Sequence, residues 1–168
     1  MESHDPRLAA LCHLFAEAPE VILAYLFGSR AEGREHPDSD WDIAIVTDAH
    51  ISYARRFELE LAAQQRLGGE RVQVVTMDSA PIELRYRVVA TGILLFARSV
   101  ELRVEWEATT MSRYFDALPG LRQWRADLIK GGNSDAAVRR YRKQAGKAQR
   151  LREPAGGDAD NRPERVSR

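Results

Sequence analysis

The chain has 168 residues, 44% of them hydrophobic and 30% charged, with Lys/Arg and Asp/Glu in equal number. That is the make-up of an ordinary soluble globular protein, with room for one substantial core and an appendage. It excludes an internal disulfide, since Cys12 is the sole cysteine, and a histidine zinc site, since His4, His13, His36 and His50 lack ligand spacing.

Pro6 to Glu17 reads as a first helix, with Asp5 as its N-cap and Leu8, Leu11 and Phe15 on one face. Pro19 ends it and launches an apolar strand, Val21 to Phe27. Gly28 supplies a turn, and Ala31 to Glu35 is expected to form a short helix. Pro37-Asp38-Ser39 then turns the chain into a second strand, Trp41 to Thr47. The first strand ends at Gly28-Ser29 and the second begins at Asp40-Trp41-Asp42, so for both ends to share one site the strands must run antiparallel.

That junction carries the chemistry. Residues two apart in a strand face the same way, so Asp40 and Asp42 present their carboxylates side by side. Their mutual repulsion is relieved by a divalent cation. A Gly-Ser turn offers backbone N–H groups and a hydroxyl to a phosphate. Metal ligands beside a phosphate cradle point to a nucleotide triphosphate with magnesium. The bland alternative is a pair of solvated turn acids, and Arg30 and Arg34 are equally readable as phosphate contacts or as surface residues.

A helix is expected from about Ile51 to Leu67, with Phe57, Leu61 and Ala62 on its buried face and Gly68-Gly69 as its stop. The third strand, Arg71 to Met77, follows a helical crossover and should run parallel to the second. Pro81 to Ala90 reads as a helix and Ile93 to Ala97 as a short fourth strand. Val100 to Ala117 reads as a longer helix, with Leu102, Trp106 and Met111 toward the body and Tyr114 and Phe115 extending its apolar surface. Pro119-Gly120 is expected to bend the chain before a last amphipathic stretch from Leu121 to Lys130.

The stretch from Gly28 through Asp42 resembles the signature of the minimal nucleotidyltransferases, a branch of the DNA polymerase β-like superfamily. The resemblance runs over roughly residues 8 to 130, including Arg71 to Met77, Ala80 to Leu84, Gly92 to Phe96 and Arg113 to Asp116. It implies an α/β, polymerase β-like nucleotidyltransferase fold, a small mixed sheet flanked by helices. It also implies that Gly28, Ser29 and Arg30 bind the nucleotide while Asp40 and Asp42 hold magnesium and carry catalysis. The cofactor is then Mg2+ and the substrate ATP, with AMP passed to a protein hydroxyl. The implied partner is a HEPN-domain ribonuclease toxin, to which the chain would be antitoxin. Where the family has a third acid this sequence has Gln73, an amide that supplies neither charge nor a base. A catalytically weak, nucleotide-binding antitoxin that masks its toxin is therefore the alternative. A small-molecule nucleotidyltransferase ranks last, because the chain has little room for an acceptor domain.

Residues 131–168 form a basic tail, with ten Lys/Arg against five acids, which leaves the minimal nucleotidyltransferase domain of residues 1–130 acidic. A helix from Asp135 to Arg152 and a disordered end are expected there. The tail reads either as solvated chain or as a contact for RNA or an acidic partner. No apolar run approaches the roughly 20 residues that span a bilayer and no signal-peptide pattern opens the chain, so a cytoplasmic protein with no membrane partner is expected.

Overall fold

The computed structural model describes residues 5–36 and 39–129. The described residues divide between two units, the first ending at Phe115 and the second beginning at Asp116. Eight elements follow in order: α1 (Pro6–Glu17), β1 (Val21–Phe27), β2 (Trp41–Thr47), α2 (Tyr53–Arg66), β3 (Val72–Thr76), α3 (Ile82–Thr91), β4 (Ile93–Ala97) and α4 (Val100–Ile129). The last of these crosses from the first unit into the second.

The local chemistry sets most of these boundaries. The Asp5 carboxylate accepts the Arg7 backbone N–H and so caps α1, while Pro6 occupies the first turn, where its missing N–H costs nothing. Ser52 caps α2 by accepting the Arg55 N–H at 3.1 Å. The four strands form one mixed sheet in the order β3-β2-β1-β4. Central β1 runs antiparallel to β2 and β4, while β2 and β3, joined by the α2 crossover, are parallel. Both expected strand directions are observed.

The inner strands are buried on both faces, which explains their nearly unbroken apolar runs. On one face Ala24, Leu26, Ile43, Ile45 and Val74 pack with Leu11 and Phe15 of α1 and Leu59 and Ala63 of α2. On the other, Leu23, Tyr25, Ala44 and Val46 pack with Met77, Val88 of α3 and the partly buried Trp106 of α4. Tyr25 ties that second layer by donating its hydroxyl to Glu107 at 2.8 Å. At roughly 1.5–3 kcal/mol for each large apolar side chain fully buried, these two layers hold the unit together.

Four expectations are corrected. The segment Ala31 to Glu35 forms turns rather than a helix, closed by Glu32 N–H to the Gly28 carbonyl and Arg34 N–H to the Ser29 carbonyl at 3.2 and 2.9 Å. The buried face of α2 is Leu59 and Ala63, with Ala62 partly buried against the same core as expected, while Phe57 and Leu61 are 44% and 42% exposed. The chain does not bend out of helix at Pro119, because α4 continues through it to Ile129, and Met111 stays 40% exposed. The expected helix and disorder beyond residue 130 lie outside the described residues. Among the described residues no helix is long and apolar enough to cross a membrane.

Candidate active site

The end of β1 and the start of β2 meet as the sequence required. Phe27 pairs with Asp42, and Asp42 in turn pairs with Gln73 of β3, so the three lie level across the sheet and share a face. Gly28 then leaves the strand with φ +77°, a left-handed conformation that glycine adopts without penalty. A Cβ at this position would collide with the Asp42 carboxylate, its distance to the Asp42 Cγ being only 3.1 Å. Glycine is therefore required twice over: by the turn and by the close approach of an acid to its backbone. Half-buried Ser29 follows directly.

Asp42 is an uneasy carboxylate. Burial pushes its pKa up, the neighbouring Asp40 charge pushes it further, and Arg87 of α3 opposes both. Asp40 is more exposed and pairs with Arg71 Nε at 2.9 Å. Arg87 is a residue that sequence reasoning missed. Its Nε lies 3.5 Å from Glu32 in the turn after Ser29, which brings a cation from α3 alongside the acids. Only the packing of α3 on the Asp42 face reveals it, since nothing around residue 87 in the sequence marks a site.

The structure also locates the remaining candidates. Gln73 is exposed and adjacent to Asp42, at the place expected for a third ligand. Glu70 is engaged elsewhere, accepting from the Trp41 indole N–H at 2.6 Å, Arg30 at 3.0 Å and Arg7 at 3.3 Å. Those contacts hold its carboxyl below the usual glutamate range, the indole bond most of all, against a smaller opposing effect of burial. Asp78 approaches His50 at 3.4 Å. Arg34 pairs with Glu32, and Arg30 faces Ser39 and Glu70.

A magnesium ion fits this donor set only modestly. Among the described residues no group of three or more Asp, Glu, His or Cys converges. Two carboxylates and the neutral Gln73 amide suit one hard cation whose other positions are filled by phosphate oxygens and water. A cleft of about 530 Å³ opens beside Asp40, with Arg7, Arg30, His36, Glu70 and Arg71 in its walls. It touches the acid pair through Asp40; Asp42, Gly28 and Ser29 do not line it. The clustering of Gly28 against Asp42 is the better guide to the chemistry, because it joins the two halves of the motif.

Comparison with known proteins agrees with this fold. Residues 10–101 match the family described as polymerase beta, nucleotidyltransferase. The protein adenylyltransferase MntA of Shewanella oneidensis is 35% identical over 74 residues, 44% of this chain and 52% of that protein. The match thus spans about half the length of that relative. A chain of a crystal structure described as the toxin-antitoxin with AMP-PNP superposes with a TM-score of 0.63 at 28% identity, covering 73% of this chain and 98% of that one. A chain of the tri-AMPylated Shewanella oneidensis HEPN toxin in complex with MNT antitoxin gives 0.60 at 25% identity, covering 74% and 97%.

Proposed function

We propose that this chain, which belongs to the polymerase beta nucleotidyltransferase family, transfers AMP from ATP to a hydroxyl of a protein acceptor and acts as the antitoxin of a HEPN toxin. The observation that carries the reading is the seating of the Asp42 carboxylate on the backbone of Gly28, with Asp40 alongside. The phosphate turn and the acid pair thereby form one site. Asp40 and Asp42 would hold magnesium, which when bound supplies charge neutralisation for the triphosphate and the departing pyrophosphate. Gly28 and Ser29 would receive phosphate oxygens at the turn. Arg87 would add a cation on the α3 side. Such transfer depends on positioning and charge more than on covalent participation by the protein.

The test is direct transfer. The purified chain is mixed with a HEPN-domain protein as acceptor, labelled ATP and magnesium, and the acceptor is analysed for added AMP. Wild-type labelling that disappears in Asp42→Asn supports the reading, and labelling that survives in that variant removes the acid pair from the chemistry.

One observation favours a second reading, in which the chain holds nucleotide and toxin but transfers AMP slowly or not at all. Gln73, not an acid, stands in register beside Asp42. Two carboxylates leave a second cation position under-neutralised and give the attacking hydroxyl no third acid to take its proton.

A further inference from the structure

We infer that Arg30 is a positioning residue, which fastens the far end of the connection between β1 and β2 and so fixes Asp40 and Asp42 over the phosphate turn. Its Nε and Nη2 both donate to the Ser39 carbonyl, at 3.1 and 2.6 Å. Nη2 also reaches Glu70 Oε2 at 3.0 Å, and that same oxygen accepts the Trp41 indole N–H at 2.6 Å. The guanidinium lies over the Trp41 ring, its carbon 4.6 Å from the centroid. One side chain therefore grips both neighbours of Asp40, Ser39 by its carbonyl and Trp41 by its ring.

The surroundings make this grip firm. The Arg30 side chain is only 14% exposed and Trp41 2%. Arg7 closes the far side by pairing with Glu70 at 3.3 Å, with its own guanidinium carbon 5.2 Å from the Trp41 ring. The Trp41 backbone N–H is bonded to the Arg71 carbonyl at 2.9 Å, which continues the grip into the register of β2 and β3. Arginine suits the task because its planar fork can serve two acceptors while stacking on an indole; an ammonium group does neither well.

The purpose assigned to this clamp rests on the nucleotidyl-transfer reading, but the clamp itself is measurable without nucleotide. The full chain is compared with Arg30→Lys, Arg30→Ala and Glu70→Gln by hydrogen exchange at the Trp41 backbone and indole N–H groups. Loss of a charge-assisted contact predicts exchange faster by on the order of tenfold in all three. Arg30→Lys exchanging at the wild-type rate overturns the clamp. Should Arg30→Ala fail to fold, Arg30→Lys and Glu70→Gln carry the comparison.

ATP binding with magnesium then separates positioning from phosphate contact. Positioning predicts that Arg30→Lys and Glu70→Gln weaken ATP by similar factors, and that the double variant is no worse than the poorer single one. A phosphate contact predicts that Glu70→Gln leaves ATP affinity unchanged or tighter, and that result overturns the proposal. A wild-type chain that binds no ATP sinks the transferase reading, and the clamp is then decided by exchange alone.

Discussion

At Gly28 two separate penalties await any side chain, and they can be told apart. The φ of +77° strains an L-residue, and the Asp42 carboxylate occupies the space a Cβ needs. Gly33 shares a positive φ, +65°, but a Cβ there meets nothing within 4 Å. Gly33→Ala is therefore expected to show strain alone, roughly 1–2 kcal/mol and a fall of several degrees in Tm. Gly28→Ala should fall further and also lose magnesium-dependent ATP binding by more than about tenfold, because Asp42 must move. Equal melting losses with unchanged ATP binding in calorimetry would remove Gly28 from the site.

Glu70 gives a prediction with a definite sign. Its folded-state pKa is depressed below the ordinary 4.5 by the Trp41 indole bond, with Arg30 and Arg7 adding to the effect. A depressed carboxylate stabilises the fold above its unfolded pKa, and that stabilisation is lost as pH falls through the folded value. Glu70→Gln should thus melt below the wild type at pH 7, with the gap closing as pH falls from about 4.5 into the more acid range. The side chain is 38% exposed, so solvent screens the effect and the gap is small. A gap that stays constant from pH 7 to pH 3 would show that the carboxylate charge is not what Trp41 and Arg30 recognise.

At the scale of elements, the strands were legible because Gly and Pro punctuate the chain at their ends. Pro19 precedes β1, Gly28 follows it, and Gly92 precedes β4. The direction of β3 followed from the crossover. The buried face of α2 did not, because the helix carries two apolar stripes. Phe57 and Leu61 are one set four apart, and Leu59 and Ala63 are the other, displaced by two residues and so by more than half a turn. Periodicity cannot choose between such stripes; the contact with β3 and α1 does.

That contact has a polar component which composition alone would not suggest. The Val74 N–H donates to Glu60 at 2.9 Å, and the Val74 carbonyl accepts from Arg56 at 2.7 Å. Val74 lies on β3, which stands at the end of the strand order, and side chains of α2 satisfy its outward backbone groups. Fixing this face requires Leu59 inside, where it is 3% exposed. Leu59→Ala is expected to cost about 2–5 kcal/mol in denaturant unfolding, while Leu61→Ala should stay near 0.5 kcal/mol. Similar losses in the two would return the helix to the face that the sequence first suggested.

For the whole molecule, the fold and the acid pair were legible while the degree of catalysis was not, and Gln73 is the reason. Its register beside Asp42 is what the sequence implied from strand order, so the proposed site has an amide where a third charge would stand. Restoring that charge tests both functional readings at once. In Gln73→Asp three carboxylates would crowd one end of the sheet, and without cation their repulsion should lower Tm below that of the wild type. Magnesium should then raise Tm more in the variant than in the wild type, because the third charge strengthens the site for a hard cation. If the natural chain is a slow transferase, AMP labelling of the HEPN protein should rise in Gln73→Asp and fall in Asp42→Asn. Vigorous labelling by the natural chain, undiminished in Gln73→Ala, would mean that two carboxylates and the bound triphosphate suffice, and the reading as a masking antitoxin would be lost. A larger magnesium gain in Tm without any labelling in either form would instead leave a protein that grips nucleotide and partner without transferring AMP, because proton removal from the acceptor hydroxyl needs more than charge at the sheet end.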